Sequence, residues 1–411
     1  MIRLRLIVFL LILSITCFSQ VRPLSFFILR GLSNSPLITD LSNQAHSNSL
    51  DSLIVKANRL PQVNFDALLS FAPVINEYGY SEAITNGGNF ITVINVSQPL
   101  FNKKNVEAQY AKLGLQNQSL YNSVRLTERE LKKTITAQYL NSCSVYSDIT
   151  VDKNLLKKTK EEEILLKLMV NQGVYRQTDY LSFVVELQSL ELHLIDLQTQ
   201  YMNELYALNV LCGINDTTTY DLELPELSPV PVNGRSASPF FKRFTIDSLR
   251  IRNEQVLIDG NYVPKIGWYS DAGVVNSDPA ILYKNFGISL GLSFSVPVFD
   301  GNQRKLNYEK LKMTEQTRGR YRDFFNIQYG QQLLQLNAEL KRTRDLIPRI
   351  NEQLEVASAI ISQDRELLNY GRISVTDYVI ALKNYQTIQA NSNQCRIRIL
   401  QIQNEINYWT E

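Results

Sequence analysis

Two aspartates in this 411-residue chain stand in matched settings. Asp179 follows Thr178 and precedes a tyrosine, and Asp377 follows Thr376 in the same way. Gly173 and Gly371 each lie six residues upstream, with Arg176 and Arg372 close by. A threonine at a helix start can accept a backbone N–H, and an aspartate in the first turn complements the positive helix end. Beyond these the inventory is thin. His46 and His193 are the only histidines, each within a helical pattern. There is no Gly-rich phosphate loop, nucleophile motif or zinc-ligand spacing, so the sequence predicts neither an enzyme nor a cofactor or metal site. Lys157-Lys158 and Glu161-Glu162-Glu163 read as i,i+4 pairs on a solvated helix face. Asn86-Gly87-Gly88-Asn89 reads as an external hairpin turn.

The matched settings belong to a longer repeat. Residues 369–386, NYGRISVTDYVIALKNYQ, match 171–188, NQGVYRQTDYLSFVVELQ, at six of eighteen positions, 198 residues apart. Gln98-Pro99-Leu100-Phe101 and Val296-Pro297-Val298-Phe299 keep the same offset. Upstream, Pro36 and Pro61 correspond to Pro239 and Pro264 at an offset of 203, so the first copy carries five extra residues between Pro61 and Pro99. A period this long marks a duplicated unit rather than a solenoid. The copies are 36–212 and 239–411, joined by a Pro-rich linker at 213–238 that forms an equatorial segment.

Each copy reads as an opening helix, a strand pair, a long helix and a return helix. The strand pairs fall at 61–100 and 264–298, the long helices at 103–172 and 303–370, and the return helices at 178–212 and 376–409. A run of about 70 helical residues spans about 105 Å. A return helix and the next opening helix together, ~59 residues, span roughly 90 Å. Pro348 predicts a kink or break in the second long helix. Leu187, Leu190, Leu194, Leu197, Tyr201, Leu205 and Leu208 form a stripe with coiled-coil spacing.

In the last strand Ile288, Leu290, Leu292, Phe294, Val296 and Val298 alternate with Ser289, Gly291, Ser293 and Ser295. In the first, Val63, Phe65, Ala67, Leu69 and Phe71 alternate with Gln62, Asn64, Asp66 and Ser70. Helices could cover the apolar face, or lipid could. About ten residues per strand and a small, hydroxyl-rich polar face suit a membrane crossing with an aqueous lumen. Four strands cannot close a barrel, so a transmembrane sheet from this chain needs further copies to make 8, 12 or 16 strands.

Residues 1–19 have Arg3, Arg5 and an apolar run too short to span a bilayer, and read as a secretory signal followed by an N-terminal segment at 20–35. Thr16 and Ser14-Ile15 fit lipidation at Cys17 poorly. The chain carries a formal charge of +2, and loss of Arg3 and Arg5 leaves it neutral, which argues against nucleic acid. Cys143, Cys212 and Cys395 read as packed thiols.

The mature chain resembles the TolC-type outer-membrane efflux channels. The resemblance rests on the duplicated layout and on two motifs present in both copies: the strand-to-helix junctions SQPLFNKKN and SVPVFDGNQRK, and the turns NQGVYRQTDYL and NYGRISVTDYV. It implies a mainly α fold with four strands per protomer in a shared 12-stranded barrel and long helical hairpins in a periplasmic α-barrel. It also implies a homotrimer in the outer membrane with a large periplasmic part. Such a passive duct works with a periplasmic adaptor and an inner-membrane pump in efflux or type I secretion. Ile288, Leu290, Leu292, Phe294 and Val296 then face outer-membrane lipid. Gly173, Arg176, Thr178, Asp179, Gly371, Arg372, Thr376 and Asp377 sit at the periplasmic tip, as gate or as helix caps. Pro348, the Asn102-Lys103-Lys104 junction where the second copy has Asp300-Gly301, and a thin equatorial segment depart from the family pattern. The competing reading is a periplasmic or secreted coiled-coil scaffold without a channel.

Overall fold

The computed structural model describes residues 21–79, 87–101, 103–228, 238–276 and 284–410. The signal segment with Cys17, Asn86, Asn102 and linker residues 229–237 lie outside the described residues. The elements in order are α1 (Leu24–Asn34), α2 (Pro36–Ala57), β1 (Gln62–Ala72), β2 (Gly87–Phe101), α3 (Lys103–Asn171), α4 (Gln177–Cys212), α5 (Pro239–Gly260), β3 (Lys265–Asn276), β4 (Phe286–Ser295), α6 (Gln303–Asn369) and α7 (Val375–Thr410). Among the described residues no helix is long and apolar enough to cross a membrane.

The compact units do not follow the repeats. One unit comprises 40–124 and 239–324, and the other 1–39, 125–238 and 325–411, so each takes parts of both copies. The first holds the sheet, antiparallel in the order β1-β2-β3-β4. The ladder between β2 and β3 therefore joins one copy to the other. In this unit α6 starts from Asp300, whose carboxylate accepts the Asn302 and Arg304 backbone N–H groups at 2.9 and 2.8 Å.

The second unit holds the main core. Of the stripe, Leu194, Leu197, Tyr201, Leu205 and Leu208 are buried against Ile135, Tyr139 and Leu140 of α3 and Phe27 of α1, while Leu190 is buried in a second cluster with Leu155, Leu166 and Phe183. Linker residues Tyr220 and Leu222 join this core, and the Tyr201 hydroxyl donates to the Tyr220 carbonyl at 2.6 Å. Burial pushes the Cys143 thiol up to about 12 and that of Cys212 up to about 11, as inert packed groups.

Three local expectations change. Helix α6 runs unbroken through Pro348. Pro348 lies on an exposed side, as does Arg344, so the carbonyl that loses its i→i−4 donor can take water. Gly87, Gly88 and Asn89 lie inside β2, opposite Ala72, Phe71 and Ser70, rather than in a hairpin turn. A tight turn falls earlier, at Asn76 and Glu77, with φ of 50° and 70° between the reciprocally bonded Ile75 and Tyr78. Strand β4 ends at Ser295, which pairs with the first residue of β3, so Val296 and Val298 lie beyond the ladder.

Candidate functional site

Two regions gather the predicted residues, one in each unit. In the sheet, directly opposed residues of antiparallel strands share a face. The register sets Phe65, Ile94, Ala272 and Ile288 in one rung. Val63, Val96, Ser270 and Leu290 form another on the same face, and Gln98, Trp268 and Leu292 continue it. This face is open: Phe65 is 68% exposed, Leu290 79% and Leu292 77%. Trp268 satisfies its indole N–H on Gln98 Oε1 at 3.0 Å.

The opposite face is polar. Asn64, Asn95, Asp271 and Ser289 form one rung, and Ser289 Oγ donates to the Asp271 carboxylate at 2.5 Å. Tyr269 lies over Gly291, where an added Cβ would meet its ring at 2.5 Å. Leu68, Ile91, Val93 and Val275 are the large apolar exceptions. The sequence alternation of single strands thus becomes a mainly apolar surface across four strands, interrupted by Thr92, Gln98, Ser270 and Asn276. Among the described residues, β1 and β4 leave their outer edges unpaired.

The second region is the pair of turns between the long and return helices. Gly173 has φ 78° and Gly371 φ 67°. The Val174 N–H bonds the Met169 carbonyl at 2.9 Å and the Gly173 N–H that of Val170 at 3.0 Å. Arg372 to Leu367 and Gly371 to Leu368 repeat this at 2.9 and 3.0 Å. Both are Schellman stops, which need the left-handed conformation glycine tolerates.

The caps differ from the expected ones. Helix α4 starts at Gln177 and α7 at Val375, so Thr178 and Thr376 sit in the first turn and do not cap. Asp179 accepts the Arg176 backbone N–H at 3.2 Å, the return half of a capping box. In the second turn Ser374 Oγ accepts the Thr376 N–H at 3.2 Å. Asp377 instead lies near Asp364, whose carboxyl is pushed above its ordinary range by burial and by Asp377. Among the described residues neither Arg176 nor Arg372 makes an ion pair with these aspartates, and the Arg372 guanidinium lies 5.9 Å from the Tyr370 ring centroid. Tyr175 ties the turns together, its hydroxyl 3.0 Å from the Leu368 carbonyl and 2.8 Å from that of Ile373.

Behind the turns lies a polar knot. Glu162 is 4% exposed, not part of a solvated face. The Tyr378 hydroxyl donates to its carboxylate and Arg365 Nε stands 3.2 Å away. Burial pushes the Glu162 carboxyl up, and the hydroxyl and guanidinium only partly offset that. Glu161 also faces Arg365, and Glu163 accepts the Tyr180 hydroxyl at 2.6 Å. The acidic run therefore pairs across helices rather than along its own. The repeated Tyr180 and Tyr378 both reach this run, a contact the run itself does not announce in the sequence. Higher up, His193 Nδ1 lies 2.7 Å from buried Asp152, which also accepts from Gln386, a structural tie among α3, α4 and α7.

No protein-family model matches the chain, and no curated protein does. Solved structures do. The chain is similar to the Campylobacter jejuni CmeC outer membrane channel, with 15% identity and a TM-score of 0.74 over 94% of this chain and 86% of that one. It is similar to the outer membrane protein VceC of Vibrio cholerae, at 12% identity and 0.74, covering 94% of this chain and 96% of that one. The Neisseria gonorrhoeae MtrE outer membrane channel, in its open state, matches at 13% and 0.71, over 94% and 88%. The fold is the one these outer-membrane proteins share, the TolC-type fold that the duplicated motifs imply.

Proposed function

We propose that this chain is one of three copies that form an outer-membrane channel, the passive exit duct of a tripartite efflux or type I secretion system. The observation that carries the reading is the sheet: a mainly apolar face, 50–79% exposed at Val63, Phe65, Ile94, Ile288, Leu290 and Leu292, backed by a mainly polar face and bounded by two open edges. Water disfavours such a face by roughly 25 cal/mol per Å² of apolar surface. Lipid accepts the face but not the edges, because each unpaired backbone group there costs several kcal/mol. The β2–β3 ladder joins first copy to second within the chain, and the same joint between β4 and the β1 of the next chain closes the ring. Three chains supply twelve strands.

The helical unit then belongs to the periplasm, where an adaptor and an inner-membrane pump would meet it. That part of the reading leans on the likeness to outer-membrane channels. The tip is its gate: the knot of Glu162, Arg365 and Tyr378 fixes α6 and α7 to α3, and the aspartates of the turns add negative charge that favours cations. The sequence motifs for enzymatic work are absent, and the chain acts by conduction.

The test is fractionation followed by conductance. The chain should sediment with outer membranes, need detergent for release, run as a trimer and give discrete conductance steps in planar bilayers. Release in soluble form without detergent supports the scaffold reading and overturns this one.

A further inference from the structure

Helix α5 is held on two sides within its unit. Toward α6, Arg304 pairs with Asp259 at 2.6 Å and Arg318 donates to the Phe244 carbonyl at 3.1 Å. Toward α3, Asn253 Nδ2 donates to the Ala108 carbonyl at 2.9 Å and Lys112 stands 3.9 Å from Glu254. The duplication predicts a second version of that α3 contact. The 198-residue offset carries Ala108 and Lys112 to Leu306 and Lys310 of α6. The 203-residue offset carries Asn253 and Glu254 to Leu50 and Asp51 of α2.

Neither half of this second contact is filled. Leu306 and Lys310 line a cavity of about 1030 Å³ along α5 and α6, with Met313 and Tyr321 further along. Leu306 is 59% exposed, Met313 65% and Tyr321 66%. On α2, Leu50, Leu53 and Ile54 are 50%, 61% and 56% exposed, while their α5 counterparts Asn253, Val256 and Leu257 are half-buried. The other side of α2 is occupied, since Ala45, the counterpart of Ser248 on the α6-facing side of α5, is buried.

We propose that α2 of a second copy of this chain lies in the α5–α6 cavity, with its Leu50 against Leu306 and its Asp51 beside Lys310. This rests on the trimeric reading above. The residue types change together. Within the chain the contact is a side-chain amide on a carbonyl over a small alanine, which lets the helices approach closely. Between chains it becomes leucine on leucine, with the acid–lysine pair kept. The contact is head-to-tail, so it closes into a ring rather than a symmetric pair.

Chains each carrying one introduced cysteine, beside the buried native thiols, test it. Leu50→Cys and Leu306→Cys chains, co-expressed and oxidised in membranes, should give a disulfide-linked dimer, and neither chain alone should. Leu50→Cys with Met313→Cys, two turns along α6, should give far less product. Chains carrying both Leu50→Cys and Leu306→Cys should link to covalent trimers. A trimer in detergent with no Leu50–Leu306 product, or with the bond inside one chain, overturns the proposed contact and leaves the trimer standing. A monomer in detergent overturns the trimeric reading and the contact with it.

Discussion

The two copies of the unit are alike in backbone and unlike in chemistry. Their turns share the glycine conformation and the same two hydrogen bonds. The side chains behind the turns do not match. Glu162 corresponds to Ile360, Arg365 to Lys167 and Asp364 to the buried Leu166. The polar knot therefore takes its acid from the first copy and its arginine and tyrosine from the second, and exists once per chain. Duplication kept what geometry requires at every turn and left contact chemistry free to diverge. The sheet stands at the other extreme, because its apolar face asks only for apolar residues and both copies supply it.

The largest expected effect tests that equivalence of the strands. Leu292→Arg and its counterpart Ile94→Arg should each cost about 2–4 kcal/mol if the face meets the bilayer midplane. Folded trimer in outer membranes should fall alike for both, with a milder loss for Ser293→Arg on the polar face. A Ser293→Arg loss clearly exceeding that of Leu292→Arg would reverse the faces.

The knot should separate the copies. Tyr378→Phe strips a hydroxyl from buried Glu162 and should cost about 1–3 kcal/mol of thermal stability. Tyr180→Phe, whose partner Glu163 can turn to water, should cost far less. Equal losses would mean the knot has no special weight. The pH dependence has a definite sign. The carboxyl of Glu162 is raised above its ordinary 4.5, so the protonated form suits the fold better. Its contribution is complete below that ordinary value and is lost as pH rises through the raised one. Glu162→Gln should flatten this part of the melting-temperature profile.

The turns should differ by less. Valine at a left-handed position strains the backbone by roughly 1–2 kcal/mol. At Gly371 an added Cβ also meets Val174 Cγ1 at 2.5 Å, whereas nothing lies within 4 Å at Gly173. Gly371→Val should therefore lower the melting temperature more than Gly173→Val, and the double variant should reduce trimer yield most.

What was legible in the sequence is what repeats or has a period. The 198-residue offset exposed the duplicated turns, and the period of two in residues 288–294 marked a face that the ladders extend over four strands. Local exceptions escaped. Pro348 signals a kink or break, yet the helix continues through it, with the carbonyl that loses its donor open to water. Gly87-Gly88 looks like a turn, yet both glycines lie in β2, paired with β1, and a tight turn falls at Asn76-Glu77. Glu162 looked solvated because a charge run carries no sign of what packs on it from 216 residues away. Thr178 looked like a cap until the helix start at Gln177 showed Asp179 taking the Arg176 N–H instead.

The smallest effects concern Asp179 and Asp377, which share the Thr-Asp-Tyr run and differ in structural setting. Asp179 holds the Arg176 backbone N–H, so Asp179→Ala should lower stability by ~0.3–1 kcal/mol and leave conductance unchanged. Asp377 faces Asp364, a repulsive neighbour, and the cap of its helix comes from Ser374. Asp377→Ala should therefore cost little or no stability. A carboxylate kept beside another without a capping duty is the better candidate for the charge ring at a trimeric tip. Its removal should reduce cation preference and single-channel conductance in planar bilayers, most at low salt, where screening is weakest. The acid Asp364 should titrate nearer its ordinary range once Asp377 is gone, though burial keeps it somewhat raised. Matching conductance and ion selectivity in wild type, Asp377→Ala and the double variant would leave both aspartates as elements of the helix ends alone.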